Sequence, residues 1–329
     1  MKLIVQIPCL NEEKSIGRTI REIPRSIPGI DLVEVLIVDD GSTDRTVEEA
    51  VKAGADHVIR FTNRKGLARA FMAGIDTSLK LGADIIVNTD ADNQYDGADI
   101  PLLIRPILEK KADVVVGNRE IGKIRHFSPV KRALQNVGSW AVRKLSRTTV
   151  PDAASGFRAY DREAAINLNV VSAFSYTLET LIQAGTSNLA VTHVPVRTNP
   201  PTRPSRLFKG TMSYVTKSLA TLVRIYTMYE PLKVFSLIGG VISLAGLSLF
   251  ARFLYFYFTV GGRGLVQSLI FGAALLIVGF QILVIGLLAD TIASNRKLTE
   301  NALYRLKKLE LDRRPEGRSS SGNNPPPAR

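Results

Sequence analysis

Two aspartates and an amide, Asp90, Asp92 and Gln94, lie in Val87-Asn88-Thr89-Asp90-Ala91-Asp92-Asn93-Gln94, directly after an apolar run at residues 83–88. Where a strand gives way to a loop, carboxylates one residue apart can turn toward one hard cation. Mg2+ or Mn2+ held by few protein oxygens keeps positions open for substrate phosphates. An Asp-x-Asp pair on its own is a weak signal, equally at home in a solvated loop. Its meaning depends on the scaffold around it.

Apolar runs supply that scaffold. Residues 3–10, 35–38, 56–61, 83–88 and 112–116 read as strands, and 16–23, 46–53, 67–81 and 100–110 carry helical periodicity. Val- and Ile-rich runs separated by helical stretches predict a mostly parallel sheet with crossover helices, whose ligands sit beyond the carboxyl ends of the strands. Four polar clusters fall at such ends: residues 8–13, Asp39-Asp40-Gly41-Ser42-Thr43-Asp44, Asn63-Arg64-Lys65-Gly66, and residues 90–94. The run at 3–10 is too short, and too soon followed by Asn11-Glu12-Glu13, to be a secretory signal.

Composition narrows the function classes. The chain of 329 residues is 45% apolar, ample for a core, and its single cysteine, Cys9, allows no intrachain disulfide. His57, His126 and His193 show no ligand spacing, which argues against a zinc site. The formal charge of +13 is segregated, with +7 in residues 118–147, +6 in 197–233 and +4 in 290–329. These segments adjoin, or can fold against, the hydrophobic part of the chain, where anionic lipid attracts them. No nucleic-acid-binding motif or aromatic platform interrupts the basic stretches, so nucleic acid is not an expected partner.

The hydrophobic part begins with residues 234–250, which carry no charge, and continues past Arg252 to residue 260. A glycine-rich turn at 261–264 leads to residues 265–289, where Gln267 and Gln281 are the only large polar side chains. Each stretch is long enough for a hydrocarbon core of about 30 Å, so the lipid bilayer is an expected partner. Lys217, Arg224 and Lys233 precede the first span, and Arg296, Lys297, Arg305, Lys307 and Lys308 follow the second, against Arg263 alone between them. The positive-inside rule then puts both termini in the cytoplasm and makes this a multi-pass cytoplasmic-membrane protein. Amphipathic stretches at 130–141 and 212–226 suit the membrane surface, or equally an ordinary helix packed on the domain. The expected division is a catalytic domain at 1–210, a juxtamembrane helix at 211–231, two transmembrane helices at 232–290, a cytoplasmic helix at 291–311 and a disordered tail at 312–329.

The ordered motifs carry a resemblance. Pro8-x-x-Asn11-Glu12, Val38-Asp39-Asp40-Gly41-Ser42-x-Asp44-x-Thr46, Gly66-x-Ala68-x-Ala70-x-x-x-Gly74, Asp90-Ala91-Asp92-x-Gln94 and Ser155-Gly156-Phe157-Arg158 resemble the family 2 glycosyltransferases. These have the GT-A fold, and the nearest likeness is to their dolichyl-phosphate mannose synthase and polyisoprenyl-phosphate glycosyltransferase branch. The resemblance covers about residues 3–210. It implies a Rossmann-like α/β catalytic domain with a mostly parallel sheet, followed by two transmembrane α-helices.

The resemblance also implies a nucleotide pocket at Pro8, Leu10, Glu12, Asp39 and Asp40, with Lys65 and Ala91 beside it and Arg203 and Lys209 on the donor diphosphate. Leu10 replaces the aromatic residue often found there. It implies Mg2+ or Mn2+ on Asp92 and Gln94, with Asp90 near the ribose and diphosphate or sharing the ion, and Arg119 and Arg132 at the acceptor phosphate. The expected activity is transfer of a sugar from a UDP- or GDP-linked donor to polyprenyl phosphate at the cytoplasmic face, inverting and metal-dependent. The acceptor is a phosphate largely ionised at neutral pH, so no strong general base is required. A processive polysaccharide synthase is the rival enzyme, but its Gln-x-x-Arg-Trp signature is absent around the only tryptophan, Trp140. A non-catalytic nucleotide-sugar-binding scaffold would have no need of Asp90, Asp92 and Gln94 together. A homo-oligomer is compatible with all of these readings.

Overall fold

The protein is described from a computed structural model, in which residues 1–119, 143, 146, 148–170, 176–200, 224, 226–261 and 266–312 are described. Arg132, Arg203, Lys209, the stretch at 130–141 and nearly all of 212–226 lie outside the described residues.

Seven strands form one sheet: β1 (Lys2–Cys9), β2 (Leu32–Asp39), β3 (His57–Arg60), β4 (Ile85–Asn88), β5 (Val114–Asn118), β6 (Arg158–Asp161) and β7 (Val191–Pro195), in spatial order β3-β2-β1-β4-β6-β5-β7. β1 pairs in parallel with β2 and β4, β2 with β3, and β5 with β7. β6 alone runs antiparallel, wedged between β4 and β5. All the parallel strands therefore end on one rim, and β6 begins there.

Both faces of the sheet are covered, which is why its strands are near-continuous apolar runs rather than alternating ones. Leu3, Val5 and Ile7 of β1 pack with Ile16 and Ile20 of α1 (Ile16–Arg21), Ala50 of α2 (Thr46–Lys52), and Ile100, Leu103 and Ile104 of α4 (Ile100–Leu108). Ile4 faces the other way, with Phe71, Ile75 and Leu79 of α3 (Leu67–Lys80), Ala164 of α5 (Arg162–Asn167) and Tyr176 of α6 (Tyr176–Thr186). β6 escapes a sequence reading because Arg-Ala-Tyr-Asp is short and half polar. Its insertion is what sets Arg158 opposite Asn88 and Val116.

Two long helices complete the chain, α7 (Pro231–Val260) and α8 (Val266–Asp312), and both are long and apolar enough to cross a membrane. They pack through glycines seven residues apart. A Cβ at Gly239 would lie 2.9 Å from the Gly279 carbonyl oxygen, and one at Gly246 would lie 2.8 Å from that of Gly272. Small residues let helix backbones approach closely in lipid, where apolar burial gives no drive to associate. The second apolar run and the charged segment after it form one unbroken helix of 47 residues. Neither glycine nor proline occurs between Leu287 and Asp312 to interrupt it. The charged part returns to the globular domain, where Tyr304 and Leu311 pack against the α3 side of the core.

Candidate active site

The rim is built from loops that hold one another. After β1, Asn11 adopts a left-handed φ of 54°, its backbone N–H donates to Ser42 Oγ at 2.9 Å, and its side-chain oxygen accepts from the Thr43 N–H at 2.8 Å. The Glu12 N–H donates to Thr46 Oγ1 at 2.8 Å, and Glu12 Oε2 accepts from Ser15 Oγ at 3.1 Å. After β2, the fully buried Asp39 accepts from the Ser42 N–H at 3.0 Å and faces Arg60 Nε at 3.2 Å. Asp40 accepts from the Lys65 N–H at 2.6 Å and the Gly66 N–H at 2.9 Å, tying this turn to the entrance of α3. Gly41 holds a φ of +83°, and a side chain there would also press on the Arg64 amide at 3.1 Å.

The expected nucleotide residues thus gather at one end of the rim. Pro8 is buried, Leu10 half-buried and Ala91 buried, while the Lys65 ammonium lies 4.5 Å over the Phe61 ring. Beside them opens a cleft of about 580 Å3 lined by Gly41, Ser42, Thr43, Arg60, Phe61 and Thr62. Asp39 and Asp40 spend hydrogen-bonding capacity on backbone amides, so both shape the loops that face the cleft.

Asp90 and Asp92 follow β4. Asp92 Oδ1 accepts from the Gln94 N–H at 3.1 Å, and Asn93 between them takes a left-handed φ of 57°. Residues after β7 hold this turn from outside: the Asn199 N–H donates to the Gln94 carbonyl at 2.9 Å, and Asn199 Nδ2 to that of Asn93 at 3.0 Å. The Asp90 carboxyl is pushed up to about 7, first by burial and then by the neighbouring Asp92 charge, with Arg119 and Arg158 offsetting only part of this. Two carboxylates that repel each other in a partly desolvated cleft fit a divalent cation. Their oxygens, with the Gln94 amide next along the loop, suit a hard ion such as Mg2+ or Mn2+. Among the described residues no group of three or more His, Cys, Asp or Glu could hold a metal. Asp90, Asp92 and Gln94 would supply few ligands, leaving positions for substrate phosphates.

Behind Asp90 stands a network that sequence reasoning did not assemble. The Gly156 carbonyl accepts from Asn88 Nδ2 at 2.8 Å, and its N–H donates to the Tyr95 hydroxyl at 3.1 Å. Asn88 Nδ2 also donates to the Tyr176 hydroxyl at 3.0 Å, and Asn88 Oδ1 accepts from Gln6 Nε2 at 3.0 Å. Phe71 stacks on Tyr176 at 4.2 Å, and Phe157 on Tyr95 at 5.1 Å. The available sequence signal was a polar residue inside an apolar strand: Gln6 in β1 and Asn88 in β4 are both fully buried. Arg158 is buried as well and donates to the carbonyls of Ser155, Ala153 and Thr177 and to Thr180 Oγ1, all within 2.8 Å. Arg158 thus pins the turn before β6 to α6.

Arg119 lies on the rim near Asp90, but its fork is engaged. Nε donates to Asp152 Oδ2 at 2.6 Å and one Nη to Oδ1 at 3.0 Å, with the Asp152 side chain fully buried. A phosphate arriving at Arg119 would meet a guanidinium already held on two of its N–H groups. Asp152→Ala is expected to destabilise the protein by about 3–5 kcal/mol, because it leaves the Arg119 charge buried without this partner. Arg119→Lys, which keeps a charge but loses the paired geometry, should cost less, and the ranking is checked by urea denaturation.

The family model for Glycosyl transferase family 2 matches residues 4–168, from β1 through β6 and α5, half of the chain. The chain belongs to that family. Among its curated relatives, the undecaprenyl-phosphate mannosyltransferase of Micrococcus luteus is 29% identical over 206 residues, covering 60% of this chain and 83% of the relative. The dolichol-phosphate mannosyltransferase of Pyrococcus furiosus is 29% identical over 272 residues, covering 79% of this chain and 74% of the relative. Both names describe the branch that the motifs resemble. Among solved structures, glucosyl-3-phosphoglycerate synthase from Mycobacterium tuberculosis, in complex with Mn2+, uridine diphosphate and phosphoglyceric acid, superposes with a TM-score of 0.53 at 21% identity. It covers 67% of this chain and 78% of its own. The enzyme thus has the GT-A-like fold and is a glycosyltransferase.

Proposed function

We propose that this glycosyltransferase moves a hexose from a UDP- or GDP-linked donor to a polyprenyl phosphate at the cytoplasmic face of the membrane, with inversion. One observation carries the reading: the apolar hairpin of α7 and α8 continues from the same chain that bears the Asp90–Asp92 rim. In support, the likeness to the Pyrococcus furiosus dolichol-phosphate mannosyltransferase covers 79% of the chain, more than the part before α7 can account for.

In this reading the loops after β1, β2 and β3 receive the nucleoside, with Pro8, Leu10, Glu12, Asp39, Asp40, Lys65 and Ala91 around it. Asp90, Asp92 and Gln94 hold Mg2+ or Mn2+, which supplies neutralisation of the charge that develops on the departing diphosphate. Arg203 and Lys209 bring further positive charge to the diphosphate. Arg119 and Arg132 attract the acceptor dianion, whose oxygen attacks the anomeric carbon as the bond to the diphosphate breaks. Residues 1–210 form the catalytic domain, 211–231 the juxtamembrane helix, 232–290 the membrane hairpin, 291–311 a cytoplasmic helix and 312–329 a tail, with both termini cytoplasmic.

Purified protein in vesicles containing polyprenyl phosphate, given a panel of UDP- and GDP-hexoses, is expected to yield a lipid-linked hexose from at least one donor. No transfer from any donor overturns the reading. The membrane orientation has its own test, motivated by the Lys and Arg asymmetry. A cysteine introduced at Gly262 should be labelled only from outside the cell, and one at Ser320 only from inside. The reversed pattern would place the donor site on the wrong side.

A further inference from the structure

The membrane hairpin and the catalytic domain meet at one buried charge. Glu179, on α6, has a fully buried side chain, and its cationic partner is Arg296, which lies on α8 and is 21% exposed. Arg296 Nη2 reaches Glu179 Oε1 at 3.4 Å and donates to the Tyr229 hydroxyl at 3.1 Å, while Nε donates to Glu300 at 2.8 Å. The guanidinium also lies 4.8 Å over the Tyr229 ring. Tyr229 stands two residues ahead of α7. A single arginine thus joins α6, the foot of α7 and the part of α8 beyond its apolar run.

The element gripped here is the one that supports the catalytic aspartate. Tyr176 lies one helical turn before Glu179, takes the Asn88 amide, and sits beside the Asp90 carboxylate at Gly156. The same turn of α6 receives Arg158 through Thr177 and Thr180. Tyr229 packs against a small cluster containing Val150, Ala153, Leu181 and Ile182. Val150 and Ala153 flank Asp152, the partner of Arg119. Farther along α8, Lys308 with Glu163 and Lys307 with Asp76 also touch the domain, but those pairs are more exposed and screened. The Glu179 contact is the most deeply buried of the three, and a charge pair shielded from water is screened least.

We infer that Arg296, with Glu179 and Tyr229, is a positioning joint that fixes the Asp90 side of the catalytic domain against the membrane hairpin. In this way it sets the site's pose toward an acceptor embedded in the bilayer. The inference rests on the lipid-acceptor function proposed above. An acceptor anchored in lipid brings its phosphate to a fixed height, so the domain carrying the donor must be held at a matching one. Small misplacements of reacting atoms are expensive in rate.

The test uses full-length protein in vesicles containing polyprenyl phosphate. Arg296→Gln is expected to lower kcat for lipid transfer on the order of 10- to 100-fold, while donor affinity, measured by calorimetry, stays at the wild-type value. Arg296→Lys, which keeps a cation for Glu179, should recover most of the rate. Amide hydrogen exchange of Arg296→Gln should quicken in residues 152–157 and the first turn of α6 and remain unchanged in β1, β2 and β3. Wild-type kcat in Arg296→Gln, loss of donor affinity in step with kcat, or no recovery with lysine overturns the joint. Should Arg296→Gln not fold, Glu179→Gln keeps the shape of the buried side chain and removes the charge pair, and wild-type kcat in that variant overturns the joint. A wild-type protein that transfers nothing to lipid would instead strike the functional reading, and the exchange experiment would still decide whether Arg296 acts on the Asp90 side.

Discussion

Asp92→Asn is expected to reduce sugar transfer on the order of 1,000-fold or more while the protein stays folded, because a carboxylate is exchanged for a neutral amide at a metal position. Asp92 is half-buried at the loop after β4, and its structural contact there is Oδ1 accepting from the Gln94 N–H. Asparagine retains an oxygen in that place, so the turn survives. What it removes is one of the two negative charges proposed to hold the cation, which would leave Asp90 with weaker help from the Gln94 amide. Chelation should mimic the substitution. Wild-type protein in excess EDTA should lose activity and regain it with Mg2+ or Mn2+, whereas Asp92→Asn should respond to neither. Transfer at full rate in EDTA, measured with the donor identified by the panel, would falsify the metal role.

Gly156→Ala is expected to lower kcat by about 100-fold through displacement of the Asp90 carboxylate. A Cβ at this position would fall 2.9 and 3.0 Å from the two Asp90 oxygens and 2.8 Å from the Tyr176 hydroxyl. The backbone has little room to retreat, since the Gly156 carbonyl is held by Asn88 and its N–H meets the Tyr95 hydroxyl. Tyr176 is fixed in turn by its stack on Phe71. The side chain left to give way is that of Asp90, which is only half-buried. Overpacking of this kind costs about 1–3 kcal/mol, so the variant should fold with a lower Tm and require more metal for half-maximal activity. A normal metal requirement together with wild-type kcat would show that the carboxylate does not depend on this contact.

These two residues also differ in how far the sequence alone discloses them. Asp92 is legible because the pattern around it is local: an apolar strand, a loop and alternate carboxylates within eight residues. The same holds for β1 to β5, whose Val and Ile runs announce themselves, for the polar clusters at the carboxyl ends of β1 to β4, and for the two apolar helices. By contrast β7, Val-Thr-His-Val-Pro, has no buried residue to mark it. Gly156 could be found in a motif, yet nothing nearby in the chain says that its missing side chain makes room for Asp90.

What lay beyond the sequence shares one physical cause. β6 is a four-residue strand of mixed polarity, stabilised by its pairing with β4 and β5 and by burial of Arg158, Ala159 and Tyr160, contacts made with distant parts of the chain. The partner of Arg119 was hidden because a basic stretch offers no clue to which carboxylate will face it, and the fold supplies Asp152 from 33 residues away. Glu179 and Arg296 are 117 residues apart, and neither carries a local mark of its partner. Propensity and periodicity act over one or two turns of chain, and they determined β1 to β5, the polar loops at their ends and the two long apolar helices, while the ordered motifs carried the family resemblance. Which buried charges pair, and which glycine must stay bare, is decided by desolvation and close packing between distant segments, and these act only once the segments have met.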